Sequence, residues 1–352
     1  MKKEKLIYIY PKKSTFIVDD ISFLKKEYTV QTQDLQWNSP LRLPLNFLLQ
    51  FFFLVKEIST TKAIIISFAG YFSLLPTFFG KLFKKPVFII LNGAECVSFP
   101  SYNYGSLRKK VLKYFIKKSL ENGSKLLPVD ASLILQEHTF DATVKNKKQG
   151  FQHYFPNLKT PFKVIPNGFD LDFWKIERSE KKGFITVAFV NNMSTFKYKG
   201  LDLHIGIAAE FPQENFTIIG VSDVVKSQLP FIPRNVTIIS SMKRDDLKAN
   251  YAKHQFYLQL SINEGFGCNL AEAMLCKCIP IVSQTGVLKN VIGDSGFLIE
   301  KKNMDDALEI VSQAIYLTQQ EKNYLQLKAR KRIVTTFDIS TRENLILQEI
   351  ES

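Results

Sequence analysis

The chain of 352 residues is poor in cysteine, with four, at positions 96, 268, 276 and 278. So few thiols exclude a small disulfide-stapled fold and point to a reducing compartment. Cys276 and Cys278 stand in an apolar stretch with no second cysteine pair or His cluster beside them, so they read as buried thiols. Histidine is equally scarce: His138, His153, His204 and His254 are scattered along the chain with no metal-ligand spacing, and they read as helix or loop residues. No secretory signal opens the chain, because Met1 to Lys5 leads into a short apolar run, Leu6 to Tyr10, that ends at Pro11. Ala63 to Gly80 is uncharged for 18 residues but carries Gly70, Ser73, Pro76 and Thr77. It is expected to split into a strand and a helix rather than to span a membrane.

Negative charge is what the first half lacks. Residues 1–168 hold 25 Lys+Arg against 11 Asp+Glu, whereas residues 169–352 hold 22 of each, so the whole formal charge of +14 sits in the first half. A one-sided field of this kind suits an anionic lipid surface, a nucleic acid or an anionic substrate. No zinc-finger spacing, helix-turn-helix signal or glycine-aromatic RNA-binding motif supports nucleic acid, so none is expected. Arg108 to Lys118 interleaves six cations with five apolar or aromatic residues on an expected helix. With the apolar Leu43 to Val55, it suggests contact with an anionic membrane surface.

The apolar residues that are present alternate in kind along the chain. Leu6 to Tyr10, Tyr28 to Gln31, Ala63 to Phe68, Val87 to Leu91, Leu126 to Val129 and Phe162 to Ile165 read as strands. Helical spacings separate them at Phe16 to Glu27, Leu43 to Ile58, Tyr71 to Phe83, Leu107 to Leu120 and Ser132 to Lys145. After a polar stretch from Phe169 to Glu180, strands at Ile185 to Val190, Phe216 to Ile219, Val236 to Ile239, Tyr257 to Leu260, Ile279 to Val282 and Gly296 to Ile299 alternate with further helices. The pattern predicts an α/β protein of two parallel-sheet domains, 1–168 and 169–335, with a last helix over 336–352 that ends the second domain or crosses back to the first. Open parallel sheets bind ligands beyond the carboxyl ends of their strands, which directs attention to the residues that follow strands.

The sharpest signal follows the run Tyr257 to Leu260. Ser261-Ile262-Asn263-Glu264-Gly265-Phe266-Gly267-Cys268-Asn269-Leu270-Ala271-Glu272 reads as strand, carboxylate, glycine-flanked turn and helix start. The glycines permit close backbone approach, and the unpaired N–H groups of a helix N-terminus make a seat for a diphosphate. Two carboxylates, one in the loop and one in the first helical turn, can grip vicinal hydroxyls such as those of sugars and ribose. Asn269 and Glu272 also have the spacing of a capping box, which by itself would explain Glu272 as a satisfied helix end.

This run resembles the Glu, seven residues, Glu motif of the retaining nucleotide-sugar glycosyltransferases of family 4, the glycosyl transferases group 1. Three other stretches are similar to that family: Val164 to Asp170, Tyr198-Lys199-Gly200-Leu201-Asp202-Leu203, and Ser283 to Val291 with Asp294-Ser295-Gly296-Phe297-Leu298. The resemblance implies a GT-B fold, two Rossmann-like domains facing across a deep cleft, with the acceptor side in the first domain and the nucleotide-sugar donor in the second. It further implies that Glu264 meets hydroxyls of the donor sugar, that Glu272 holds the nucleotide ribose, and that Lys199 counters the diphosphate, with Gly265, Phe266, Gly267 and Cys268 around it. The family's cation before the Lys-Gly is missing here, and Lys197 or Asn192 stands nearest to its place. Its His after the Val87 to Leu91 strand is replaced by Asn92-Gly93-Ala94-Glu95, which leaves Asn92 for hydrogen bonding and Glu95 as the nearest titratable group. The implied activity is metal-independent transfer, with retention, from a UDP- or GDP-linked sugar to a glycan or lipid-linked acceptor in polysaccharide or glycoconjugate synthesis. The implied place is cytoplasmic, peripheral at the membrane face. A non-catalytic nucleotide-sugar-binding protein on the same scaffold is the alternative.

Overall fold

The computed structural model describes residues 3–37, 39–177 and 180–352. Met1 and Lys2, on which the expected absence of a signal partly rests, and two residues of the Phe169 to Glu180 junction, Arg178 and Ser179, lie outside the described residues.

The first half folds as β1 (Lys5–Ile9), α1 (Thr15–Glu27), β2 (Thr29–Thr32), α2 (Leu43–Glu57), β3 (Thr61–Ser67), α3 (Leu74–Leu82), β4 (Val87–Leu91), α4 (Lys110–Asn122) and β5 (Lys125–Pro128). All five strands are parallel, in the order β2-β1-β3-β4-β5. Every residue of β4 is buried, as is nearly all of β3, because helices cover both faces of the sheet. Right-handed crossovers put α1 on one face and α2, α3 and α4 together on the other. The uncharged Ala63 to Gly80 run thus divides between β3 and α3. Among the described residues no helix is long and apolar enough to cross a membrane.

Beyond β5 the chain departs from the sequence expectation. Ser132 to Lys145 is not helical; after a single turn at Ala131–Leu133 it forms a short antiparallel pair, β6 (Gln136–Glu137) with β7 (Lys148–Gln149), followed by α5 (Phe151–Tyr154). Local side-chain bonds divert the backbone: Asp141 Oδ1 accepts from Thr143 N and Oγ1, both at 2.8 Å, and His138 Nε2 accepts from Asp141 N at 3.1 Å. Phe162 to Ile165 is extended beside β5 but makes one bridge, Phe162 to Leu126, rather than a strand. Pro161 and Pro166 flank it and offer no N–H to a ladder.

The second half contains β8 (Phe184–Val190), α6 (Met193–Tyr198), α7 (Leu201–Glu210), β9 (Phe216–Val221), α8 (Asp223–Lys226), β10 (Val236–Ile239), α9 (Arg244–Lys253), β11 (Phe256–Gln259), α10 (Cys268–Leu275), β12 (Ile279–Ser283), α11 (Gly286–Ile292), β13 (Phe297–Ile299), α12 (Met304–Ile315), α13 (Gln319–Thr336) and α14 (Ile339–Glu351). Its parallel sheet runs β10-β9-β8-β11-β12-β13, the doubly wound order with its switch point between β8 and β11. The chain is therefore a GT-B-type pair of Rossmann-like domains. Helix α14 leaves the second sheet and packs against α1. There Arg342 donates to Asp20 from Nε at 2.7 Å and from Nη2 at 2.8 Å. The two segments that join the halves lie side by side: Phe169 N donates to Phe337 O at 2.9 Å and Ile339 N to Phe169 O at 3.1 Å.

Candidate active site in the interdomain cleft

At the switch point of the second sheet three side chains converge on one oxygen. Glu264 Oε1 accepts from Lys199 Nζ at 2.7 Å, Gln259 Nε2 at 2.9 Å and Ser261 Oγ at 2.6 Å, while Oε2 receives none of these bonds. Gln259 and Ser261 sit at the end of β11, where Glu264 follows. Lys199 arrives from the end of α6, and Gly200 makes this possible: its φ is +68°, and a Cβ there would lie 2.1 Å from Leu260 O. Burial pulls the Lys199 ammonium toward neutrality, but the Glu264 carboxylate outweighs it, and the pKa is raised above the ordinary lysine value.

The first domain supplies the opposite wall. Gly265 abuts Asn92 so closely that a Cβ on Gly265 would lie 1.6 Å from Asn92 O. The 92–95 turn is held by Glu95, whose carboxylate accepts from Asn92 N at 2.7 Å and Gly93 N at 3.2 Å. Burial pushes its pKa up to about 7 against the relief given by those amides. Glu95 therefore clamps backbone, and it lines a neighbouring groove instead of the cavity that holds Glu264.

That cavity, about 260 Å³, is bounded by Asn92, Tyr104, Asn167, Lys199, Gln259, Glu264, Gly265, Phe266, Gly267, Cys268 and Asn269 among others. Three buried amide oxygens on its walls, Asn92 Oδ1, Asn167 Oδ1 and Gln259 Oε1, have no hydrogen-bond partner. Their orientation is set by the donors on the same groups, since Asn92 Nδ2 bonds Ser67 Oγ at 3.1 Å and Gln259 Nε2 bonds Glu264. Buried acceptors left without partners are costly, and hydroxyl groups would satisfy them. Helix α10 starts at Cys268, with Gly267 at φ +90° in front of it, so its first amides also border the cavity. A cation, a carboxylate, open acceptors and a helix N-terminus together make a seat for a polyol joined to an anion.

Glu272 does not share this cavity. It lies in the second turn of α10 instead of the first, and the capping box does not form, because Asn269 Nδ2 donates to Val187 O at 3.0 Å. Its buried carboxyl is raised to about 8, chiefly by desolvation, with Arg244 opposing and Asp19 adding to the rise. Arg244 also reaches across the domains to Asp19 at 3.9 Å. Nothing in the sequence marked Arg244, which opens an ordinary polar helix. Asn192 caps α6, its Oδ1 accepting from Thr195 N at 2.8 Å, and Lys197 is an exposed residue of the last turn of that helix. Neither borders the cavity, because the stretch that carries them folds as α6 and its cap. None of the four histidines borders it. Asp170 and Asp172 have the spacing of a carboxylate pair, but Asp170 Oδ1 accepts from the amides of Asp172 and Phe173 at 3.0 and 2.9 Å, a turn. Among the described residues no group of three or more His, Cys, Asp or Glu is placed to hold a metal ion.

The fold has counterparts among known proteins. The profile of the family described as glycosyl transferases group 1 matches residues 171–332. The phosphatidylinositol N-acetylglucosaminyltransferase gpi3 subunit of Schizosaccharomyces pombe is 24% identical over 199 residues, 53% of this chain. The chain spans only 43% of that protein's length in the match. Among solved structures, a glycosyltransferase from Rickettsia africae superposes with a TM-score of 0.68 at 13% identity, over 100% of this chain and 98% of that one. Anabaena HepE in complex with UDP and glucose gives 0.66 at 15%, over 99% of each chain. The chain is thus a GT-B-fold relative of the glycosyl transferases group 1.

Proposed function

We propose that the protein is a retaining glycosyltransferase that moves a sugar from a nucleoside diphosphate sugar to a glycan or lipid-linked acceptor. The observation that carries this is the Lys199–Glu264 pair at 2.7 Å on a cavity whose three amide oxygens lack partners. The donor sugar lies against Glu264 Oε2 and those oxygens, and its diphosphate lies toward Lys199 and the first amides of α10. As the C1–O bond to phosphate breaks, the negative charge that grows on the leaving oxygen meets the ammonium and the helix end, which are already oriented in a site shielded from water. The acceptor oxygen bonds to C1 on the same face, and its proton passes to the departing diphosphate, so no protein base is required. Lysine and backbone amides do the work that a divalent ion would do elsewhere.

Residues 169–335 are the donor side and residues 1–168 the acceptor side, with Glu272 and Arg244 near the ribose. A UDP-linked donor is favoured by the UDP and glucose named in the HepE complex. The name of the fission-yeast relative supports a lipid acceptor. With the basic first half, this supports a role in glycoconjugate or polysaccharide synthesis at the cytoplasmic face of a membrane. The test is a panel of UDP-, GDP- and ADP-sugars, scored for binding, slow donor hydrolysis and the anomeric configuration of the product by NMR. Absence of binding to every member would refute the proposal.

A further inference from the structure

Helix α2 is built inside out. Its inward positions are Asn46, Gln50, Leu54 and Glu57, and Asn46 and Gln50 are only 5% and 1% exposed. These polar groups are housed: Asn46 Nδ2 donates to Gln36 O at 2.8 Å, Gln50 Nε2 to Phe72 O at 2.9 Å, and Glu57 accepts from Lys5 at 2.7 Å. The apolar side faces outward instead. Leu45, Leu48, Leu49, Phe52 and Val55 form a helical stripe, with Leu48 52% and Phe52 61% exposed. A helix covering a sheet ordinarily has the reverse arrangement.

The neighbouring helices extend this surface. Phe51 meets Phe79 of α3 at 5.6 Å between ring centroids and Phe47 meets Phe115 of α4 at 6.1 Å, so the three helices form one plate. Phe78, Leu82, Phe83, Val111 and Tyr114 are also exposed. Residues 43–122 hold 11 Lys+Arg against three acidic residues, Glu57, Glu95 and Glu121. Glu57 and Glu95 are buried, and Glu121 pairs with Lys118 at 2.8 Å. Soluble monomers rarely leave so large an apolar patch uncovered. Whatever covers it must be apolar and anionic at once. A second copy would set the same cations against each other, whereas an anionic bilayer satisfies both demands.

A groove of about 510 Å³ opens between the starts of α2 and α4, lined by Trp37, Leu43, Phe72, Lys109 and Leu112. Phe68 and Ala94 border both this groove and the Glu264 cavity. We infer that the α2–α3–α4 plate seats on an anionic bilayer surface and that the groove takes an apolar chain from that bilayer, presenting its head group to Glu264. The seat is independent of the transferase function proposed above; the use of the chain as an acceptor rests on it.

The full-length protein is sedimented with vesicles of mixed phosphatidylglycerol and phosphatidylcholine and with vesicles of phosphatidylcholine alone. Binding is expected to the first only. Leu48→Ser with Phe52→Ser should weaken it at least 10-fold at every salt concentration, and Lys109→Glu with Lys110→Glu should weaken it as much at low salt. Melting temperature and nucleotide affinity should stay unchanged in both, since these side chains point outward. Bromine-labelled acyl chains in the vesicles are expected to quench Trp37 and to spare Trp174, which is fully buried in the second domain. Wild-type protein that ignores both kinds of vesicle, or a dimer in solution that Leu48→Ser with Phe52→Ser splits, would overturn the seat. Vesicle binding without Trp37 quenching would overturn the groove. Because no arm uses a donor or turnover, vesicle binding with no transfer activity counts against the transferase function alone.

Discussion

Lys199 reaches Glu264 at 2.7 Å from 65 residues away in the chain, and the two carry opposite charges into the same cleft. Glu264 holds the ammonium in place, and the ammonium, with Gln259 and Ser261, fixes Glu264 through Oε1 and leaves Oε2 outside those bonds. A neutral substitute at either position breaks this arrangement without emptying the cleft.

Glu264→Gln is accordingly expected to lower kcat by about 10²–10³-fold, the loss typical when a preorganised polar contact to a transition state is removed. Its affinity for bare nucleotide should stay within about 3-fold of wild type. Steady-state kinetics paired with calorimetry of nucleotide binding separates the two. A parallel loss of both would mean that Glu264 holds the nucleotide rather than the sugar.

Glu272 should behave in the opposite way, with Glu272→Ala weakening bare nucleotide by about 10-fold or more through the loss of its hydrogen bonds to the ribose hydroxyls. Its buried carboxyl also has a pH signature. A folded pKa of about 8 against an ordinary 4.5 means that the folded chain binds this proton more tightly than the unfolded one. The contribution is full below the ordinary value and is lost as pH rises toward and through about 8. Between about pH 5 and pH 8.5 the melting temperature of wild type should therefore fall relative to Glu272→Gln. Glu95, raised to about 7, titrates in the same window in both proteins and cancels in the comparison.

Gly265→Ala tests the contact between the domains. The added methyl would lie 1.6 Å from a backbone oxygen that a rotamer change cannot move, so the domains must part. Turnover should fall by about 10²-fold, since misplacement of about 1 Å is enough for that. The radius of gyration by small-angle scattering should rise, and the nucleotide affinity of the second domain should be nearly unchanged.

Arg342→Met leaves Asp20 with Tyr8 as its remaining partner in a site where both ion-pair side chains are at most 2% exposed. Stranding a buried charge costs about 3–5 kcal/mol, read as a lower midpoint in chemical denaturation. Adding Asp20→Asn to the same protein should recover part of it.

Much of the scaffold was legible because parallel strands covered on both faces must be apolar throughout, and runs such as Val87 to Leu91 admit few other folds. The 264–268 turn was legible because its glycines interrupt an otherwise apolar passage. The 132–145 segment was not, since its path is set by Asp141 and His138 bonding to nearby backbone, against a helical apolar spacing. Gln259, Ser261 and Asn167 were missed as site residues: each is an unremarkable polar residue until the fold brings it to Glu264 or to the cavity wall. A shared cleft for Glu264 and Glu272 was suggested by placing one in the loop and the other in the first helical turn, but α10 starts one residue earlier than expected, at Cys268, and Glu272 falls in its second turn near Arg244.

The segments at Phe169 and at Phe337 to Ile339 cross between the halves side by side, tied by two backbone hydrogen bonds. Two crossings tied together at one point restrict how the halves can turn against each other, so they are not joined by a single free tether. A chain nicked near residue 180 would remain one body, because the second crossing, anchored by Arg342, would still bind the severed pieces together.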